Sequence, residues 1–343
     1  AYHKLDLAVA MRLYALPANP NRLPDLEKFN DKRSDTGRMS NQKKVPLTVI
    51  ILTLNEEFHL LEVIENVKNW AEDVFIVDSC STDRTVDIAL EYGVNIVQRP
   101  FTNYGDQWNF ALERLPIKTP WTFKLDADEQ LTKELKKEIG EHLEYNPKYN
   151  GYLMDRRLWF MGKPLHVKDP VLRLWRTGMC KFSDVIVNEH PLIDGPAGKL
   201  KGILEHYDSR DLHHWWDKQN RYTTMRAIEM AKGQGLSTAP RLFGSHLERR
   251  MFFKSIFFHI PFRYKIQWIY EVIVRGAWRA GRVGLTWAKL RIEVRRMCEL
   301  KFKEIKITGR VPEVPKAPCG EFDQRILSKP LQKSVLENKK VAE

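Results

Sequence analysis

The chain has 343 residues, of which 43% are hydrophobic and 29% charged, and its formal net charge is +12. That length holds one large core plus an appendage, and the apolar content is that of an ordinary globular chain. No unbroken apolar run reaches the roughly 18–20 residues a membrane span requires, because Glu271, Arg275 and Arg279 interrupt the best candidate.

Residues 1–45 read as an accessory segment with one short helix over 5–16 and no signal peptide. Residues 47–53 are a continuous β-branched and apolar run, the pattern of a buried parallel strand. An amphipathic helix follows, with Leu60, Leu61, Ile64, Val67 and Ala71 on one face. Residues 73–78 form a second buried strand that ends in Asp78, and residues 79–83 turn into a helix capped by Ser81 or Thr82 and closed by Gly93. A short strand over 94–97, a helix over 104–115 and a strand over 121–125 come next. This β-α-β alternation implies a mostly parallel sheet with helices on both faces. Neither G-x-G-x-x-G nor G-x-x-x-x-G-K-[ST] occurs, which excludes an ordinary dinucleotide fold and a P-loop.

Ligands of such sheets bind beyond the carboxyl ends of the strands. There the chain places Asn55, Glu56, Asp78 and Asp126-Ala127-Asp128. Asp-x-Asp at a strand end offers hard oxygen ligands to Mg²⁺ or Mn²⁺, which can hold a diphosphate. Further on, Glu189 follows the strand-like run 183–187, and His206 follows the short strand 202–204. Arg221 stands in a helical stretch. It reads equally as a diphosphate partner and as a solvated arginine. The four cysteines are scattered without a C-x-x-C, so neither a zinc site nor a disulfide framework is indicated and a reducing compartment fits.

Three stretches carry a family resemblance: Thr53-Leu54-Asn55-Glu56-Glu57, Val77-Asp78-Ser79-Cys80-Ser81-Thr82-Asp83 and Asp126-Ala127-Asp128. In order and spacing they resemble the signatures of family 2 glycosyltransferases, which have the GT-A fold. Asp126-Ala127-Asp128-Glu129, Val171-Leu172-Arg173-Leu174-Trp175-Arg176, Val187-Asn188-Glu189-His190 and Leu204-Glu205-His206-Tyr207 further resemble the lipopolysaccharide-core β-1,4-glucosyltransferase subgroup. The chain departs from these relatives at Leu54, where many have Tyr, and at Asn188, where the subgroup often has His. The resemblance implies a nucleotide-sugar site of Thr53, Asn55, Glu56, Asp78, Asp126 and Arg221. In it Asp78 would bond the base, a carboxylate being suited to the imide N–H of uracil, and Glu56 would lie against base or ribose while also facing its helix dipole. It implies Mn²⁺ or Mg²⁺ at Asp128 with Asp126 and His206, although His206 could instead meet the diphosphate or simply pack. Glu129 would be a supporting or solvated residue. Glu189 would be the catalytic base of an inverting displacement, with Asp184 and Glu205 as rivals.

The positive charge is concentrated. Residues 249–310 hold sixteen Lys and Arg against four Asp and Glu, an excess equal to the net charge of the whole chain. Phe252, Phe253, Phe257, Phe258, Phe262, Tyr264, Trp268, Tyr270, Trp278 and Trp287 lie among them. Basic and aromatic residues at helical spacing point to an anionic membrane surface rather than nucleic acid. The expected organisation is therefore an accessory segment (1–45), a GT-A domain (46–246), membrane-associating amphipathic helices (247–310) and an extended or disordered tail (311–343). The expected activity is transfer of a hexose from a nucleotide-sugar donor to a lipid-linked saccharide, at the cytoplasmic face of the inner membrane. A polyprenyl-phosphate sugar synthase and a non-catalytic lipid- or nucleic-acid-binding protein that retains the fold are the alternatives.

Overall fold

The alternation read from the sequence starts at β1 (Val45–Thr53) and runs through α1 (Leu60–Val67), β2 (Ala71–Asp78), α2 (Thr85–Glu91), β3 (Asn95–Gln98), α3 (Tyr104–Arg114) and β4 (Trp121–Asp126). The structure is a computed structural model that describes residues 43–144, 148–182, 191–233, 241–243, 260–313 and 319–337. Beyond β4 come β5 (Glu129–Leu131), α4 (Lys133–Glu144), β6 (Gly151–Phe160), β7 (Lys163–Arg176), the small pair β8 (Cys180–Phe182) and β9 (Pro191–Ile193), and β10 (Ala197–His206). The main sheet has the order β3-β2-β1-β4-β7-β6-β10-β5. Its first four strands are parallel, and β7 and β5 run against their neighbours.

Alternation along β1 explains why the sheet is covered on both faces. Leu47, Val49 and Ile51 join one core with Ile64 of α1, Val86 of α2 and Ile139 of α4. Ile50 points the other way, into a second core with Trp108 of α3, Trp175 and Phe182. Register then aligns the strand ends, since Thr53 pairs with Asp78 across β1–β2 and Leu52 with Asp126 across β1–β4. At the far side His206 of β10 pairs with Glu129 of β5, which folds the β4–β5 turn against the end of β10.

The C-terminal part contains α5 (Leu212–Ala231), α6 (Arg263–Ile269) with a π turn (Tyr270–Val274) and a 3-10 turn (Ala277–Ala280), then the long α7 (Gly281–Thr308). Phe160, Leu165, Val167, Trp215, Val272, Ala277, Trp287 and Ala288 form a third core beneath them. No described helix is long and apolar enough to cross a membrane.

Four expectations change. Ala71 opens β2 instead of continuing α1, because its chain has already turned at Trp70. The cap of α2 comes from Asp83, whose Oδ1 accepts the Thr85 N–H at 2.9 Å, while Ser81 is drawn to Asp78. Trp287 is buried, so only part of the basic-aromatic set faces outward, and Phe252, Phe253, Phe257 and Phe258 lie outside the described residues. The tail is not wholly extended: α8 (Gln324–Leu327) and α9 (Pro330–Glu337) form because Ile326 and Val335 find places in the two sheet cores.

Candidate active site

The first two strand-end loops are laced together. Asn55 adopts φ 58°, the left-handed region that asparagine tolerates. Its N–H donates to Ser81 Oγ at 2.8 Å, and its Oδ1 accepts the Thr82 N–H at 2.8 Å. Glu56 N–H donates to Thr85 Oγ1, and Glu57 N–H to Asp83. The T-L-N-E-E and D-S-C-S-T-D stretches are thus one hydrogen-bonded unit.

Asp78 sits at the floor of that unit, fully buried. Its carboxylate accepts from Thr53 Oγ1 (2.9 Å), Ser81 Oγ (2.5 Å), Ser81 N–H (2.9 Å) and Gln98 Nε2 (2.9 Å). Four donors satisfy the capacity of a carboxylate, so a nucleobase reaches Asp78 only by displacing one of them. Thr53, also buried, serves Asp78.

Asp126 and Asp128 diverge. Asp126 Oδ2 takes Arg173 Nη2 at 2.5 Å, and Lys124 lies 3.8 Å from its other oxygen. Burial would raise the Asp126 carboxyl, but Arg173 and Lys124 hold it below the usual range. Arg173 also meets Glu129 at 2.6 Å, and Arg156 approaches Glu129 at 3.4 Å. Glu129 is therefore a fully buried, ion-paired residue that bonds the Asp126 N–H and shapes the turn; it is not solvated.

Asp128 faces the opposite way, toward β10 and α5. His206 Nε2 is 3.2 Å from its Oδ2, and the Tyr207 N–H donates to its carbonyl at 2.7 Å. Asp128, His206 and Asp208 present ligand atoms all within 4.8 Å of one another. Two carboxylates and an imidazole at this spacing fit Mn²⁺, or Mg²⁺ with water completing its shell. Asp126, expected among the metal ligands, is absent from this trio because Arg173 holds its carboxylate, and Asp208 stands in its place. Lys218 of α5 lies 2.8 Å from Asp208 and 3.5 Å from Asp128.

Charge compensation sets the protonation of the pocket. Burial opposes ionisation of Asp128, yet His206 and Lys218 hold its carboxyl far below the usual range. Burial likewise opposes the cationic forms of His206 and Lys218, and the neighbouring carboxylates outweigh it in both. For Glu56 the nearby Lys218 lowers the carboxyl but is outweighed. Burial first, and Asp128 second, push its carboxyl up to about 8. His59 is lowered, chiefly by burial.

The structure thus brings Glu56, Asp128 and His206 to one pocket and puts Thr53, Asn55 and Asp78 in an adjoining network. Arg221 is half-buried on α5, one turn beyond Lys218. Glu189 and its rival Asp184 lie outside the described residues. The other rival, Glu205, is committed elsewhere: Arg157 bonds both its oxygens, and Trp159 Nε1 donates at 2.8 Å. Asp208, Lys218, Arg173 and His59 escaped the sequence reading of roles. Only Asp208 had a usable signal, since His206-x-Asp208 repeats the alternation of Asp126-x-Asp128 at another strand end.

The family model described as glycosyl transferase family 2 matches residues 48–169. Lipopolysaccharide core biosynthesis glycosyltransferase LpsC of Rhizobium meliloti is 29% identical over 252 residues, covering 70% of this chain and 86% of that protein. An uncharacterized glycosyltransferase of Rickettsia felis is 30% identical over 213 residues, covering 56% of this chain and 72% of its own. Among solved structures, mannosyltransferase PcManGT from Pyrobaculum calidifontis, in complex with GDP-Man and Mn²⁺, aligns with 78% of this chain and 89% of its own, at 14% identity and a TM-score of 0.48.

Proposed function

Given that the chain belongs to glycosyltransferase family 2, we propose that it transfers a hexose from a nucleotide-sugar donor, a UDP-sugar, to a lipid-linked saccharide in cell-envelope glycan synthesis. The observation that carries this reading is the Asp128–His206–Asp208 trio, which joins the turn after β4 to the end of β10 beside Glu56 and Lys218. A bound Mn²⁺ or Mg²⁺ supplies Lewis-acid stabilisation of a leaving diphosphate. Lys218 and Arg221 add positive charge from α5 for the same phosphates, with Arg suited to their geometry. Asp126, locked by Arg173, and the Thr53–Asn55–Asp78 network line the nucleoside side. Glu189 takes the proton of the acceptor hydroxyl as that oxygen bonds the anomeric carbon and the bond to the diphosphate breaks. One base and one leaving group give inversion, with no covalent sugar intermediate.

The acceptor class draws support from the lipopolysaccharide-core role named for LpsC. A peripheral position on the cytoplasmic face of the inner membrane, with residues 46–246 catalytic and 247–310 membrane-associating, completes the reading. It is tested by assaying a panel of sugar nucleotides with Mn²⁺ for donor turnover and for transfer to lipid-linked core saccharide. Asp128→Asn is expected to abolish metal-dependent transfer in a folded protein. Glu189→Gln is expected to lose about 10²–10⁴-fold in transfer while binding donor as tightly as before. Wild-type turnover by Asp128→Asn at limiting Mn²⁺ would remove the metal assignment, and unchanged transfer by Glu189→Gln would remove the base.

A further inference from the structure

Residues 319–337 return to the open edge of the sheet and lock onto the donor-side loops. Gln332, fully buried on α9, pairs with the backbone of Gln98 in both directions: its Oε1 accepts the Gln98 N–H at 2.8 Å, and its Nε2 donates to the Gln98 carbonyl at 2.9 Å. This side chain satisfies an edge that a neighbouring strand would otherwise cover. The Asp323 N–H donates to Gln98 Oε1 at 2.7 Å. A backbone N–H can only donate, so the Gln98 amide oxygen must face Asp323, and its NH₂ end is left to face Asp78. There it donates to Asp78 Oδ2 at 2.9 Å. Two further ties hold the segment to the same region. Gly320 N–H donates to the Cys80 carbonyl at 2.7 Å, and Arg325 pairs with Asp87 at 2.8 Å.

We infer that residues 319–337 are a working part of the donor site, with Gln98 the positioning residue through which Asp323 and Gln332 orient the Asp78 carboxylate and the 79–83 turn. This inference rests on the reading of Asp78 as part of the nucleotide site. The geometry makes Gln98 a relay with a defined polarity: its amide can donate to Asp78 only in the orientation that Asp323 imposes.

The test measures binding of UDP and of GDP, each with Mn²⁺, to the full chain and follows whichever binds tighter. Gln98→Leu, which keeps the size and removes the donor, is expected to weaken nucleotide affinity on the order of tenfold, the size of a hydrogen bond to a charged group. Its kcat at saturating donor should stay near wild type. Gln98→Glu keeps the bond from Asp323 but turns an acceptor toward Asp78, and it should weaken affinity at least as much. Gln332→Ala should weaken affinity through the same path, so the Gln98→Leu/Gln332→Ala pair should be no worse than Gln98→Leu alone. Loss of thermal stability without a change in nucleotide affinity would mark the segment as a structural clasp and overturn the inference. Asp78→Asn separates the two readings. If it weakens binding while the Gln98 and Gln332 variants bind normally, the relay fails and the donor site stands. If Asp78→Asn also binds normally, or neither nucleotide binds the wild-type chain, the donor-site reading fails and the relay with it.

Discussion

Glu56 and Asp128 share a pocket but are held in opposite protonation states. Asp128 faces two cations, whereas Glu56 is buried near a like charge and rises to about 8. A carboxyl whose pKa is raised on folding contributes stability that is complete below its ordinary value and is lost as pH climbs through the folded value. The window therefore runs from the ordinary range of a glutamate, near 4.5, up to about 8. Glu56→Gln should remove that loss. In metal-free protein its melting temperature should draw ahead of wild type between pH 5 and 8 and hold a constant lead above that. A lead that does not vary with pH, measured by calorimetry across this range, would show that Glu56 titrates as an ordinary surface carboxyl.

At the scale of elements, placement depends on how closely two backbones approach. Gly284 lies in the first turn of α7, and a Cβ built there would stand 1.8 Å from the carbonyl oxygen of Ala277 in the 3-10 turn. The clash is with backbone, which cannot rotate away. Gly284→Ala should therefore shift the start of α7 or the 270–280 segment and cost about 1–3 kcal/mol, the range for overpacking a filled site. Gly309→Ala is the control, with open space around its Cβ but φ +66°, so it should cost only its backbone strain, about 1–2 kcal/mol. Chemical denaturation of both variants, with the Trp287 environment followed by fluorescence, checks the order. A Gly284→Ala variant as stable as wild type would mean that α7 is not seated against that turn. Element identity was legible for β1, β2 and β4 from short continuous apolar runs and for α1 from the spacing of its apolar face. It failed for α8 and α9, because Pro312, Pro315 and Pro318 dominate the local signal and the helices are held by Ile326 and Val335 in cores built from residues far away in the chain.

Across the whole molecule, the basic-aromatic region divides into an inner and an outer face. Arg291 and Arg295 are turned inward enough that burial lowers their pKa, and Trp287 belongs to the third core. Phe262, Ile266, Ile269, Tyr270, Ile273, Val274 and Trp278 stand exposed along α6 and its two following turns, with Lys265, Arg279 and Arg282 exposed nearby. Apolar groups flanked by cations suit the interface of an anionic bilayer. Ile273→Glu combined with Val274→Glu should sharply reduce flotation with vesicles containing anionic lipid and leave nucleotide binding intact. Salt should weaken wild-type flotation only in part, because each nearby cation contributes roughly 1 kcal/mol that salt screens, whereas apolar insertion is insensitive to it. Flotation of the double variant equal to wild type would locate the membrane contact elsewhere. A preference for RNA over anionic vesicles in direct competition would end the membrane reading altogether.

Short-range chemistry determined what could be read without coordinates. A strand announces itself by a run of β-branched residues, so the alternation, the parallel sheet and the carboxylates at its strand ends were all visible in the sequence. So were the excess of cations in residues 249–310 and the lack of a spanning segment. The tertiary structure decided which of those carboxylates does what. Asp126 and Asp128 are two residues apart on one turn, yet Arg173 claims the first while His206 and Lys218 surround the second. Gln98 reaches Asp78 only because β2 and β3 are register partners, and its amide is oriented only by a segment more than two hundred residues further along the chain. Local sequence carries the preference of a backbone for helix or strand. The partner of a buried charge is set by register and packing between distant segments, and in this protein those pairings separate the two aspartates.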